Sequence, residues 1–120
     1  MTNTGLNQLR DVLCNVDTAR ADRFSMGTSP TLELPTDTAL GAESAITRAV
    51  GTYSTQDRQV VLSATVGSGD WTGINFREVG AFNAATVGIM TMRQTFGTLN
   101  KPASPSETWR IDFVMELEGI

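Results

Sequence analysis

The sequence predicts a mainly β protein: an antiparallel β-sandwich or open barrel with one short N-terminal helix and a long Pro/Thr-rich connection. Three observations lead there. Residues 108–118, TWRIDFVMELE, alternate apolar and polar side chains at every position but Val114, the period-two mark of a half-buried strand. Shorter apolar runs separated by turn residues repeat from residue 46 onward. No strand–helix–strand alternation occurs, which argues against a doubly wound fold. At 120 residues the chain is the size of one domain, read as helix over 1–17, irregular connection over 28–45 and antiparallel strands over 46–120.

Each element has its own warrant. In NTGLNQLRDVLCNV, residues 3–16, Leu6, Leu9, Val12, Leu13 and Val16 recur at three- and four-residue spacing and share one helical face. Asn3 or Thr4 is placed to cap it. So short a helix is marginal alone, and its apolar stripe needs a sheet or another subunit to dock on. Residues 20–27, RADRFSMG, read as a short strand. The segment that follows contains Pro30, Pro35 and Gly41, so it is an irregular connection, with one helical turn expected over 37–43. Strands are expected over 46–54, 58–66, 73–82 and 88–96. SGDW, residues 68–71, supplies a turn, and NAATVG, residues 83–88, a hairpin loop. LNKPASPSE, residues 99–107, is a proline-punctuated loop before the last strand.

Composition excludes several function classes. The net charge is −4 and the nine cations, eight Arg and Lys101, are scattered, so nucleic-acid binding lacks the basic stripe it needs. There is no histidine, which removes a Ser-His-Asp triad, a Cys-His dyad and any imidazole zinc site. The single cysteine, Cys14, lies in the apolar helical pattern and reads as a core residue. No apolar run approaches the roughly 18 residues that cross a bilayer. The first twenty residues lack a signal-peptide core, so synthesis in a cytoplasm without standard export is expected. VGSGDW lacks the Lys and the following helix of a phosphate-binding loop. No cofactor, metal site or catalytic group is expected, and the reading is non-enzymatic.

One charged residue stands out. Counting from Ile74 and Phe76, Glu78 points the same way as those apolar side chains. An ionised carboxylate buried alone costs several kcal/mol. Three arrangements relieve it: a β-bulge near Gly80, an ion pair with Arg93 on the next strand, or bonds from loop N–H groups. All three are structural, and no partner base or nucleophile motif accompanies Glu78. Asp112, Glu116 and Glu118 fall at even positions on the polar face of the last strand and read as a solvated face. Met90, Met92 and Phe96 share a strand face that is core if covered and an interface if not. Trp71 in SGDWTG packs at the sheet edge, or stacks on a sugar.

These residues also carry a resemblance. SMGTSPTLELPTDTALGAE, then INFREVGAFNAATVGIMTMRQTF, Lys101 and TWRIDF resemble, in order and spacing, a type of small structural protein of tailed phages and archaeal tailed viruses. Gly5, Leu6, Asn7 and Asp11 match its early helix. Gly27, Thr28, Pro30, Asp37, Thr38, Ala39, Leu40, Gly41 and Glu43 match its connection. Glu78, Gly80, Phe82, Gly88 and Arg93 match its hairpin, and Trp109, Ile111 and Phe113 its last strand. Ser29 and Ala81 depart from the pattern. The resemblance implies a virion structural protein that oligomerises as a ring or attachment point in a tail, tail fibre, baseplate or collar. The alternative is a capsid turret or decoration protein, or a host receptor- or carbohydrate-binding module of an appendage. Implied partners are further copies of itself, other virion proteins and, for the module, a host surface glycan or receptor; neither nucleic acid nor membrane insertion is implied. Interface and structural candidates are Glu78, Arg93, Gly80, Phe82, Met90, Met92, Trp71, Leu6, Leu9 and Leu13.

Overall fold

The computed structural model describes residues 2–7, 20–105 and 107–116. Seven strands occur among them: β1 Arg23–Gly27, β2 Ala49–Val50, β3 Thr52–Gln56, β4 Gln59–Val66, β5 Asn75–Phe82, β6 Met90–Asn100 and β7 Trp109–Glu116. They form two antiparallel sheets, ordered β2-β1-β5-β6 and β3-β4-β7. The sheets pack face to face as a sandwich and do not close into a barrel. The first sheet gives the core Phe24, Met26, Val79, Ala81 and Met92; the second gives Leu62, Ala64 and Val66. Phe24 stacks on Phe113 across the sheets with ring centroids 5.3 Å apart. Phe76 meets Trp109 edge-on at 6.3 Å. Burial of each such side chain contributes roughly 1.5–3 kcal/mol.

The alternation in residues 108–118 becomes β7, half-buried at every odd position and exposed at every even one through Glu116. Elsewhere the strands differ from the sequence pattern. The strand expected over 46–54 breaks at Gly51, so β2 belongs to one sheet and β3 to the other. Gly51 passes so close to the core that a Cβ there would lie 2.8 Å from Leu62 Cδ1 and 3.0 Å from Phe24 Cε2. Simple periodicity does not register such a change of sheet. β6 continues four residues past Phe96, because Leu99 and Asn100 pair with Phe76 and Asn75. The turn expected over 37–43 is not helical; turns and a bridge from Gly27 to Glu43 replace it.

Residues 3–7 are helical. Their cap is Thr2, not Asn3 or Thr4: the Gly5 N–H donates to Thr2 Oγ1 at 2.9 Å. Thr2 also ties the segment to the start of β6, its N–H donating to Thr91 O at 2.9 Å and its hydroxyl to Met90 O at 2.6 Å. Leu6 is 52% exposed. Leu9, Leu13 and Cys14, with the remainder of the expected helix, lie outside the described residues, as does Glu118.

Behind the first sheet, opposite the second, lies a third layer without regular structure. It is the connection from Thr28 to Arg48, and it covers the outer face that carries Ser25, Glu78, Gly80, Phe82 and Arg93. A small second core of Leu40, Phe82 and Met90 forms beneath it.

Candidate functional site

The site is built around Glu78, which is fully buried. Phe76 faces the inter-sheet core, yet Glu78, two residues on, faces the connection. A register shift between Phe76 and Glu78 separates them: Phe76 pairs with Leu99 and Glu78 with Thr95. The irregularity that turns the glutamate therefore falls at Arg77, ahead of it; a second shift, between Ala81 and Phe82, lies beside Gly80, where the sequence suggested a bulge, but comes after Glu78. The shift at Arg77 carries the carboxylate out of the apolar core.

Three backbone N–H groups of the connection meet this carboxylate. Gly41 donates to Oε1 at 2.8 Å, Ala42 to Oε2 at 2.8 Å and Ser29 to Oε2 at 3.2 Å. Arg93 Nε donates to Oε1 at 2.9 Å from the neighbouring strand. The Arg93 guanidinium is itself shared, donating to Asp37 Oδ2 at 3.1 Å and to Thr31 O at 2.7 Å. Desolvating a carboxylate and a guanidinium costs several kcal/mol per ion. Four donors on Glu78 and three acceptors on Arg93 offset that cost, because each bond is charge-assisted. Gly27 is the floor of the site: a Cβ there would overlap Ala42 O and Glu78 Oε2.

A second ionic centre lies beside the first. Arg48 donates through Nε and Nη2 to the two oxygens of Glu43, each at 3.0 Å. Its Nη1 donates to Ala84 O at 3.0 Å and Val87 O at 2.7 Å, holding the β5–β6 loop. The guanidinium lies 3.7 Å from the Phe82 ring centroid, a cation–π contact. Ser25 Oγ donates to Glu43 Oε2 at 2.6 Å. Burial works against ionisation of Glu43, but the bonds from Arg48 and Ser25 and the Arg48 charge outweigh it and hold the carboxyl below its ordinary value of 4.5. Farther along β6, Glu33 accepts from the Thr95 hydroxyl at 2.6 Å and from the Thr95 N–H at 3.2 Å. That hydroxyl bond leads the causes that lower its pKa.

Candidates named from the sequence fall in four places. Glu78 and Arg93 form the pair just described. Gly80, Phe82 and Met90 gather with Leu40: a Cβ at Gly80 would lie 3.0 Å from Leu40 Cδ2 and 3.2 Å from Met90 Sδ, so this glycine admits the second core. Met92 lies in the main core, on the other side of the sheet from Met90. Two residues apart, they were expected on one face, but a register shift at Ala81/Phe82 divides them. Both are buried within the chain, so they offer no exposed interface. Trp71 is no platform for a sugar. It is 7% exposed, meets Phe76 edge-on, and donates from Nε1 to Thr47 O at 2.9 Å. The groove beside it, about 460 Å³, is bordered by Thr47, Arg48, Thr65 and Asp70.

Two features escaped the sequence reading. Glu43 matched a motif, but nothing in the pattern joined it to Arg48. Lys101 is fully buried, its ammonium donating to Gly67 O at 2.7 Å and so tying the end of β6 to the loop after β4. The signal for Lys101 was its position: the chain's one lysine, between two strands and just before a proline.

Among the described residues, no group of three or more His, Cys, Asp or Glu is placed to hold a metal ion. Compared with protein-family models and with curated proteins, the chain matches none.

Proposed function

We propose that this chain is a non-enzymatic structural protein of a tailed-virus particle, a self-associating component of the tail, fibre, baseplate or collar. One observation carries the reading. Five of the residues on which the resemblance rests meet where a long connection is fastened to a sheet: Asp37, Gly41, Glu78 and Arg93 in one network around a buried carboxylate, and Glu43 in the ion pair beside it. The bonds of Glu78 and Arg93 join the connection to the sheet, which supports a role as internal scaffolding. A small β domain whose irregular segment is clamped in this way suits a part that keeps its shape inside an assembly.

The test is immunogold labelling of purified particles with an antibody to this chain. Label at the tail or neck supports the reading. Label on the capsid shell selects the turret or decoration alternative. Particles with no label, when the chain is abundant in infected cells, contradict both.

A further inference from the structure

β7 is the outer strand of its sheet, and among the described residues nothing pairs with its far edge. Its pairing with β4 runs unbroken over eight residues, whereas β5–β6 carries two register shifts. The chain shields the matching edge of the other sheet: Thr2 donates to Thr91 O, and Glu33 accepts from the Thr95 N–H. Trp109–Glu116 contains no proline, glycine, lysine or inward charge, devices that blunt an edge; its three charges, Arg110, Asp112 and Glu116, lie on the outward face. β3, at the opposite edge, is shorter and uncharged.

Among the described residues, two rows of side chains on β7 lack a neighbour on the strand's outer side. The inward row Trp109, Ile111, Phe113 and Met115 is only half-buried. Facing it on β4, Leu62, Ala64 and Val66 are 0%, 4% and 3% exposed. The outward row carries Arg110, Asp112, Val114 and Glu116, with the Arg110 side chain 70% exposed and Val114 55%.

We propose that β7 is a self-pairing edge, on which a second copy of this chain adds antiparallel about a two-fold axis at Phe113. The inference deepens the structural reading above by naming a contact through which copies meet. In that register Phe113 faces Phe113 and Ile111 faces Met115, completing the apolar row. Arg110 faces Glu116 twice, once on each side of the axis, so opposite charges meet and the contact is isologous. Backbone pairing supplies affinity and the two charge pairs set register.

The test is sedimentation equilibrium of the full chain and of R110E, E116R and the double variant R110E/E116R, with circular dichroism to verify folding. The wild type is expected to dimerise, each single variant to raise Kd roughly tenfold, and the double variant to restore it. Arg110 also bonds Asp112 on its own strand, so E116R is the cleaner single change. A silent E116R, or a double variant weaker than both singles, overturns the register at Phe113. Hydrogen exchange gives a second readout: amides 109–116 become protected as concentration rises. Concentration-independent exchange there, or a strict monomer at about 100 μM, removes the edge contact. Neither result touches the labelling experiment, which tests virion membership separately.

Discussion

Glu78→Gln keeps the shape of the side chain and removes its charge. Arg93 then loses a buried counter-ion, and whichever oxygen becomes the amide nitrogen leaves its two N–H donors without an acceptor. The expected loss of unfolding free energy is about 3 kcal/mol in urea titration, since breaking a buried pair costs more than the pair is worth. Gly27→Ala is expected to cost about 2 kcal/mol by the same measurement, because its methyl group overlaps the connection and the carboxylate. Acid gives a third test. Glu43 has a folded pKa below its ordinary 4.5. Its contribution is therefore complete above the unfolded value and is lost as pH falls through the lower folded value. Asp112 shifts the same way from 3.8, through bonds from Ser63 first and Arg110 second. The urea midpoint should thus fall as pH drops below the ordinary carboxylate value of 4.5, and Glu43→Gln should flatten that slope. An unchanged slope would remove Glu43 from the account. The Glu78–Arg93 pair was legible in the sequence, because a glutamate in an apolar strand demands a partner and few cations are available. The Glu43–Arg48 pair was not, because neither residue breaks a pattern.

The connection from Thr28 to Arg48 has almost no regular structure, yet bonds with Ser25, Glu78, Arg93 and Thr95 on the strands fasten it at both ends and in the middle. Its order is thus supplied by contacts distant in sequence. Limited proteolysis should leave it intact in the wild type and open it in Glu78→Gln, with cleavage between Thr31 and Ala42. Cleavage at equal rates in both would mean that other contacts hold it. Strand positions were largely legible because a half-buried strand reveals its period. The exceptions share one cause. Gly51, Arg77 and Thr91 mark places where the chain changes sheet or register, and a shift by one residue exchanges the two faces. The pattern on either side then reads correctly while the relation between them does not.

At the scale of the molecule, two sheets and an irregular layer make an elongated body of 46 × 28 × 26 Å. The inter-sheet core is apolar, and the interface between sheet and connection is held mainly by charge. Those two joints respond differently to conditions. The charged joint is the one that acid weakens; the apolar one is indifferent to protonation. Loss of the connection before loss of the sandwich is the expected order on acidification, seen as early exchange of amides 29–43 ahead of those in β4. The antiparallel architecture was legible from β7 and the turn chemistry alone, but the third layer was not, since its structure comes from partners on other strands and not from its own composition. The most direct test of the central claim, that Glu78 fastens the connection to the sheet, is native-state hydrogen exchange at Gly41 and Ala42 in the wild type and in Glu78→Gln. Both amides should be protected in the wild type and lose most of that protection in the variant, while β4 and β7 keep theirs. Free exchange of both amides in the wild type, or unchanged protection in the variant, would contradict it.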